Sequence, residues 1–225
     1  MKIYNLKFTN DAERLCALAA ISCHSTVDIN ELYNKLSSKD ISNILRKVIL
    51  SRHFSVLEHA NFTFSITDVS RVLLAQLTRH RIATFSVQSQ RYVKLDDTST
   101  FVIPDSIKNN KLLLSKCKSF FKQASLLYDE LVKKEIPIED ARYVMPNSLG
   151  TRIILTMNAR ELRHFFSLRC CNKTQYELRN IACKILKIVK QKTPLLFFKA
   201  GPNCINVNGK CCEYLSCGMP WKKNT

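Results

Sequence analysis

The sequence predicts an α+β chain, and three observations carry that prediction. Segments with helical periodicity recur along the chain, several opened by a capping residue with an acid three positions on, as in Asn158 with Glu161 and Thr174 with Glu177. Only two segments, 61–67 and 151–157, alternate apolar and polar residues with the period of a half-buried strand. The helices are segregated rather than interleaved strand by strand, which argues against a doubly wound parallel sheet. Four glycines, no internal repeat and no low-complexity linker leave 1–225 as a single domain without a boundary.

The elements follow in order. Asn10-Asp11-Ala12-Glu13 has capping-box spacing ahead of Leu15, Cys16, Leu18, Ala19 and Ile21, predicting a helix over 11–22. Residues 27–50 read as two short helices, the second starting at Ser38-Lys39-Asp40. In the strand 61–67, Phe62, Phe64 and Ile66 share one face. Asp68 then caps a helix through Val72–Leu77, which delivers Arg79-His80-Arg81 at or just past its C-terminus, where the helix dipole favours cations. Residues 92–103 are extended or looping, and 109–134 form a long amphipathic helix through Leu113, Phe120, Leu127 and Leu131. Pro137 opens a short helix that Pro146 ends. After the strand 151–157, Asn158 caps one helix, and Thr174 caps another through Ile181, Ile185 and Ile188.

Composition bounds the function. A hydrophobic share of 46% and a charged share of 24% are those of a globular protein. No run approaches the roughly 18 apolar residues of a membrane span, and the N-terminus has no signal-peptide pattern, so the expected location is the cytoplasm. Thirty-five basic against 18 acidic residues give a net +17, which favours anionic partners. The lysines are scattered or terminal (Lys108, Lys111, Lys133, Lys134, Lys222, Lys223) and form no stripe interleaved with aromatics, so nucleic acid ranks behind nucleotides and other phosphates. Cys204, Cys211, Cys212 and Cys217 cluster without the paired Cys-x-x-Cys spacing of a zinc site, and no metal is expected.

The chemistry centres on Arg79-His80-Arg81-Ile82-Ala83-Thr84-Phe85-Ser86-Val87-Gln88-Ser89-Gln90-Arg91-Tyr92. Three guanidinium groups stand here with no acid among them, an arrangement suited to a phosphate or an imide carbonyl through paired donors. Arg-His-Arg, seven residues and then Ser resembles the signature of the flavin-dependent thymidylate synthases. A second block, Asn158-Ala159-Arg160-Glu161-Leu162-Arg163-His164-Phe165-Phe166-Ser167-Leu168-Arg169, resembles that family's other characteristic stretch, continuing to Gln175-Tyr176-Glu177-Leu178-Arg179. Arg52-His53-Phe54-Ser55-Val56-Leu57-Glu58-His59 is similar to a third, and the resemblance spans roughly residues 50–204.

The resemblance implies a flavin-dependent thymidylate synthase-like fold, helices packed with a small, mainly antiparallel sheet. It implies FAD contacts at His53, Ser55, Arg79, His80, Arg81, Val87, Asn158, Ala159, Arg160 and His164. It likewise implies deoxyuridine monophosphate (dUMP) contacts at Gln76, Arg79, Gln88, Ser89, Gln90, Arg91, Arg142 and Arg169. Gln76 lies three residues before Arg79, so helical spacing puts the two on one face. Val87 stands where many members carry Glu, leaving a backbone contact at that position.

The implied reaction is reductive methylation of dUMP to dTMP. In it 5,10-methylenetetrahydrofolate donates the carbon, reduced FAD supplies the hydride and NADPH re-reduces the flavin. No Cys lies in the signature to attack the uracil ring, and Arg169 would instead stabilise negative charge on the imide and raise nucleophilicity at carbon 5. The chain has no G-x-G-x-x-G turn for the flavin, and the resemblance implies that FAD lies between the subunits of a homotetramer. Two alternatives remain at this point: flavin-dependent methylation of uracil in RNA, and a non-catalytic basic module that binds nucleic acid.

Overall fold

The computed structural model describes residues 1–95, 100–207, 211, 214, 216–219 and 221. Its helices are α1 (Ala12–Ser22), α2 (Ile29–Lys35), α3 (Ser38–Leu50), α4 (Arg71–Leu77), α5 (Asp105–Lys108), α6 (Lys111–Lys133), α7 (Ile138–Ala141), α8 (Ala159–Arg169) and α9 (Tyr176–Lys192). The strands are β1 (Lys2–Phe8), β2 (Asn61–Ser70), β3 (Thr84–Val87) and β4 (Gly150–Asn158), in an antiparallel sheet of order β1-β2-β4-β3. Short 3₁₀ turns cover Phe54–His59, Arg142–Val144 and Asn203–Val207. The α+β expectation holds. Most of the 205–225 tail, Cys212, Lys222 and Lys223 included, lies outside the described residues.

The chain folds as two compact units, each assembled from separated stretches. The larger takes Ile3–Ser65, His80–Thr84 and Leu155–Thr225, and the smaller takes Met1–Lys2, Ile66–Arg79 and Phe85–Ile154. The divisions at Ser65/Ile66 and Ile154/Leu155 fall inside β2 and β4, where no glycine- or proline-rich linker could mark them.

The larger unit has an aromatic core. Phe62 meets Phe197 edge-on at 5.5 Å, Phe166 meets Phe197 at 5.9 Å, and Phe165 lies 5.8 Å from Phe166. Leu162, Phe165 and Phe166 form the buried face of α8 against Leu178, Ile181 and Ile185 of α9, as their helical spacing predicts. In the smaller unit the buried side chains include Leu73, Leu77, Tyr128, Leu149 and Ile153, with Phe101 stacked on Phe121 at 4.5 Å.

Several caps differ from expectation. Asp11 rather than Asn10 precedes α1, at φ 47 and with no side-chain cap bond. Glu13, read as a capping acid, accepts a 2.7 Å hydrogen bond from the Leu195 backbone amide instead. Ser70, not Asp68, caps α4 by accepting from the Leu73 amide, because β2 runs three residues further than its alternation suggests. Gln175, not Thr174, caps α9, and Thr174 donates its hydroxyl to the Leu168 carbonyl.

Candidate active site

In the larger unit the chemistry gathers on α8. Asn158 caps it, its Oδ1 accepting from the Glu161 amide at 2.8 Å, and so fixes where the first turn points. Arg160 and His164 are exposed on one side while Leu162, Phe165 and Phe166 face inward. Arg160 donates to Glu58 at 2.6 Å, and both Glu58 and His59 are exposed rather than buried.

Glu161 is the residue that sequence reasoning misjudged. Its spacing from Asn158 matches a capping box, yet its side chain does not return to the cap. It is 6% exposed and sits 2.9 Å from Nδ1 of His80, itself 5% exposed. On the other face of that ring, Nε of Arg169 donates to Nε2 of His80 at 3.0 Å. Because a guanidinium N–H can only donate, Nε2 must accept, so the proton of a neutral imidazole resides on Nδ1 and is given to Glu161. Burial is the main cause that pushes His80 below its ordinary pKa; the Glu161 hydrogen bond opposes this and the Arg169 charge adds to it. The ring is further held edge-on by Phe165 at 5.0 Å and His164 at 6.0 Å. A line of three side chains, Glu161 to His80 to Arg169, thus sets the plane of the guanidinium.

His80, Glu161 and His164 bring potential ligand atoms within 4.8 Å of one another. Both nitrogens of His80 are already committed, one of them to a cation, which makes this a hydrogen-bonded positioning device rather than an open ligand set. Nor is the thiol beside Arg169 a nucleophile. Cys170 is buried, and its hydrogen bond to Cys183, together with burial, holds its pKa far above the ordinary thiol range.

A cavity of about 820 Å³ opens beside this line, with Asn158, Arg160, Glu161, Arg163, His164 and Ser167 of the α8 region on its wall, and Arg52, Phe54 and Lys199 from elsewhere in the unit. Its size is that of a cofactor site. Its cations and side-chain amides beside an aromatic ring suit a phosphate-bearing aromatic ligand such as a flavin nucleotide. Arg163 is a structural member: it donates to the carbonyls of Leu196 and Phe198 at 2.9 Å each, and burial lowers its pKa to about 10. A second cavity of about 420 Å³ is lined by His24, Arg52, His53, Phe54, Ser55 and Arg160, among others. His53 and Ser55 thus line one cavity with Arg160, while Ala159 is buried at the start of α8 and Arg81 is exposed.

The smaller unit holds the other expected contacts. Gln76 is half-buried near the end of α4, and the backbone amide of exposed Arg79 reaches the Gln76 carbonyl at 3.4 Å. Val87 ends β3, and Gln88 is fastened to β4 twice, by its amide to the Arg152 carbonyl and by its Oε1 to Arg152 Nε at 3.2 Å. Ser89 Oγ accepts from the Arg91 amide, shaping the turn in which half-buried Gln90 lies. Glu139 draws two of the arginines together, its carboxylate pairing with Arg91 Nε at 2.5 Å and its carbonyl accepting from Arg142 Nε at 2.9 Å.

Arg71 joins them and was not anticipated. Burial, and then the nearby Arg142 charge, pushes its guanidinium below its ordinary pKa range. Arg71 is the first residue of α4, its backbone amide donating to the Leu149 carbonyl. The arrangement can hold a phosphate.

A family model described as thymidylate synthase complementing protein matches residues 6–195. Among similar proteins, a flavin-dependent thymidylate synthase of Geobacter sulfurreducens is 46% identical, covering 97% of this chain and 94% of its own length. Those of Clostridium tetani, at 42% identity with 97% and 93% coverage, and Pyrococcus furiosus, at 43% with 81% and 78%, are also similar. Identity of this order over nearly the whole length, coinciding with both signature blocks, means that this chain belongs to the family of flavin-dependent thymidylate synthases.

Proposed function

We propose that the chain methylates dUMP to dTMP, with FAD as its flavin, 5,10-methylenetetrahydrofolate as carbon donor and NADPH as reductant. The observation that carries this reading is the Glu161–His80–Arg169 line. It gives a permanently charged donor fork a fixed orientation, which is what stabilising a uracil imide anion requires. Asn158, Arg160 and His164, with His53 and Ser55, would hold the flavin, whose bound form supplies the hydride. Arg71, Arg91 and Arg142, with Ser89 and the amides near it, would take the nucleotide phosphate. The active enzyme is a homotetramer in which neighbouring chains complete each site. The relatives' names carry thymidylate synthesis and not methylation of RNA, so the RNA alternative is dropped. A reaction on free nucleotide, folate and NADPH belongs in the cytoplasm, and no helix among the described residues is long and apolar enough to cross a membrane.

The test is tritium release from dUMP labelled at carbon 5, dependent on methylenetetrahydrofolate and NADPH. Arg169→Ala should lower the rate about 10²–10³-fold, the range for loss of one anion-stabilising donor. Undiminished release would remove Arg169 from the chemistry. Release that required RNA rather than dUMP would remove the reaction itself.

A further inference from the structure

Among the described residues, five other than glycine have positive φ: Asp11, Arg52, Asp68, Glu135 and Lys199. Glycine adopts such a backbone freely, whereas an L side chain there is strained by its own Cβ. Two of the five, Arg52 at φ 61 and Lys199 at φ 52, line the 820 Å³ cavity of the larger unit, and both are cations. Arg52 also lines the adjoining 420 Å³ cavity with His24, His53, Ser55 and Arg160. The two acids on the walls of the larger cavity are already engaged, Glu58 with Arg160 and Glu161 with His80. No ion pair among the described residues includes Arg52 or Lys199. The Lys199 ammonium lies over the Phe198 ring at 5.5 Å.

At Arg52 the positive φ closes α3, the amides of Arg52 and His53 donating to the Ile49 and Val48 carbonyls, a helix-ending position that glycine fills most readily. Glycine at either position would relieve the strain but could not present a charge to the cavity. We propose that Arg52 and Lys199 form an oxyanion clasp on the cavity wall, a specificity-determining pair that binds phosphate or carboxylate oxygens of the ligand carried there. The inference rests on the flavin-dependent reading, which supplies two sources of such oxygens: the diphosphate of FAD and the glutamyl tail of the folate. Arg52, shared by the two cavities, would hold the oxyanion in a two-donor fork, and Lys199 would add a point charge.

The informative variants are Arg52→Gly and Lys199→Gly, because glycine suits both backbones and the folded protein should keep or raise its Tm. With apoprotein stripped of flavin, quenching of flavin fluorescence should show FAD binding weakened about 10- to 100-fold in Arg52→Gly, the loss expected for one charge-assisted contact. Riboflavin, which lacks the phosphates, should bind as it does to the wild type. If FAD binding is instead unchanged while the KM for triglutamyl methylenetetrahydrofolate rises relative to the monoglutamyl form, the clasp serves the folate tail. Unchanged values in both arms overturn the clasp, and so does an equal loss of FAD and riboflavin with a fallen Tm. Inorganic pyrophosphate provides a probe independent of flavin, since it should raise the Tm of wild-type apoprotein and not that of the double variant. Wild-type protein that bound no flavin would defeat the flavin reading, while the pyrophosphate result would still decide the clasp.

Discussion

The Glu161–His80–Arg169 line ties function to pH through one residue. Burial lowers His80 below its ordinary value of about 6.5, so between that lowered pKa and 6.5 the unfolded chain binds a proton that the folded chain does not. Stability contributed by the neutral ring is therefore fully present above about pH 6.5 and lost as the pH falls. Protonation also turns Nε2 into a donor facing Arg169, so the hold on the guanidinium breaks in the same direction. The charged or titratable groups against the ring are Glu161, Arg169 and His164. Melting wild type and His80→Gln from pH 7 down to pH 5 should show a steeper loss of Tm in the wild type, and parallel slopes would remove His80 as the source. At this scale the motifs singled out His80, Arg160 and Arg169, and the fold brings all three to α8, with His80 buried between Glu161 and Arg169. The sequence was not legible at Glu161 or Arg71, whose roles depend on partners 81 and 71 positions away: Glu161 matches a local capping device that the fold uses only by half.

Among the elements, α8 and β4 place the most chemistry. Asn158→Ala should cost about 1 kcal/mol through the lost cap, or about 2–4 °C in Tm, while Asn158→Ser should restore most of it. A serine variant as unstable as the alanine one would show that the cap is not what the residue contributes. If flavin affinity stays low in the serine variant, its amide touches the cofactor as well. At the other end of β4, a Cβ on Gly150 would lie 2.7 Å from Thr100 Oγ1 and 2.9 Å from the Thr100 carbonyl oxygen, and backbone cannot move aside cheaply. Gly150→Ala should therefore destabilise by about 1–3 kcal/mol in denaturant titration, and a neutral result would mean that the 100–103 segment shifts freely. The strands 61–67 and 151–157 were readable because Phe62, Phe64 and Ile66, and Ile153, Leu155 and Met157, line buried faces. Neither of the other two strands was. β1 exposes Tyr4 (56%) and Leu6 (54%) and turns Asn5 inward, against the usual alternation, and β3 is four residues long, too short to display a period.

For the whole molecule, the division into two units was invisible in sequence, because each is woven from separated stretches and a linker search looks for one continuous boundary. Of the cofactor candidates, His80, Asn158, Arg160 and His164 belong to the larger unit and Arg79 and Val87 to the smaller; of the nucleotide candidates, Ser89, Arg91 and Arg142 belong to the smaller and Arg169 to the larger. The long helix α6 is where the proposed homotetramer can be tested. Leu112, Leu113, Phe120, Leu126 and Leu127 are all exposed on it, at 45–65%, an apolar surface that a monomer would leave to water. In the proposed homotetramer a second copy of this chain would cover it, since closed homo-oligomers bury such patches by symmetry. Sedimentation equilibrium should give a mass near four times 25.9 kDa. Leu126→Glu with Phe120→Glu should shift the distribution to smaller species and abolish tritium release, while the far-ultraviolet circular dichroism of the helices is retained. An active, monomeric double variant would sink the shared-site assembly, and would require one chain to hold flavin, folate and nucleotide by itself.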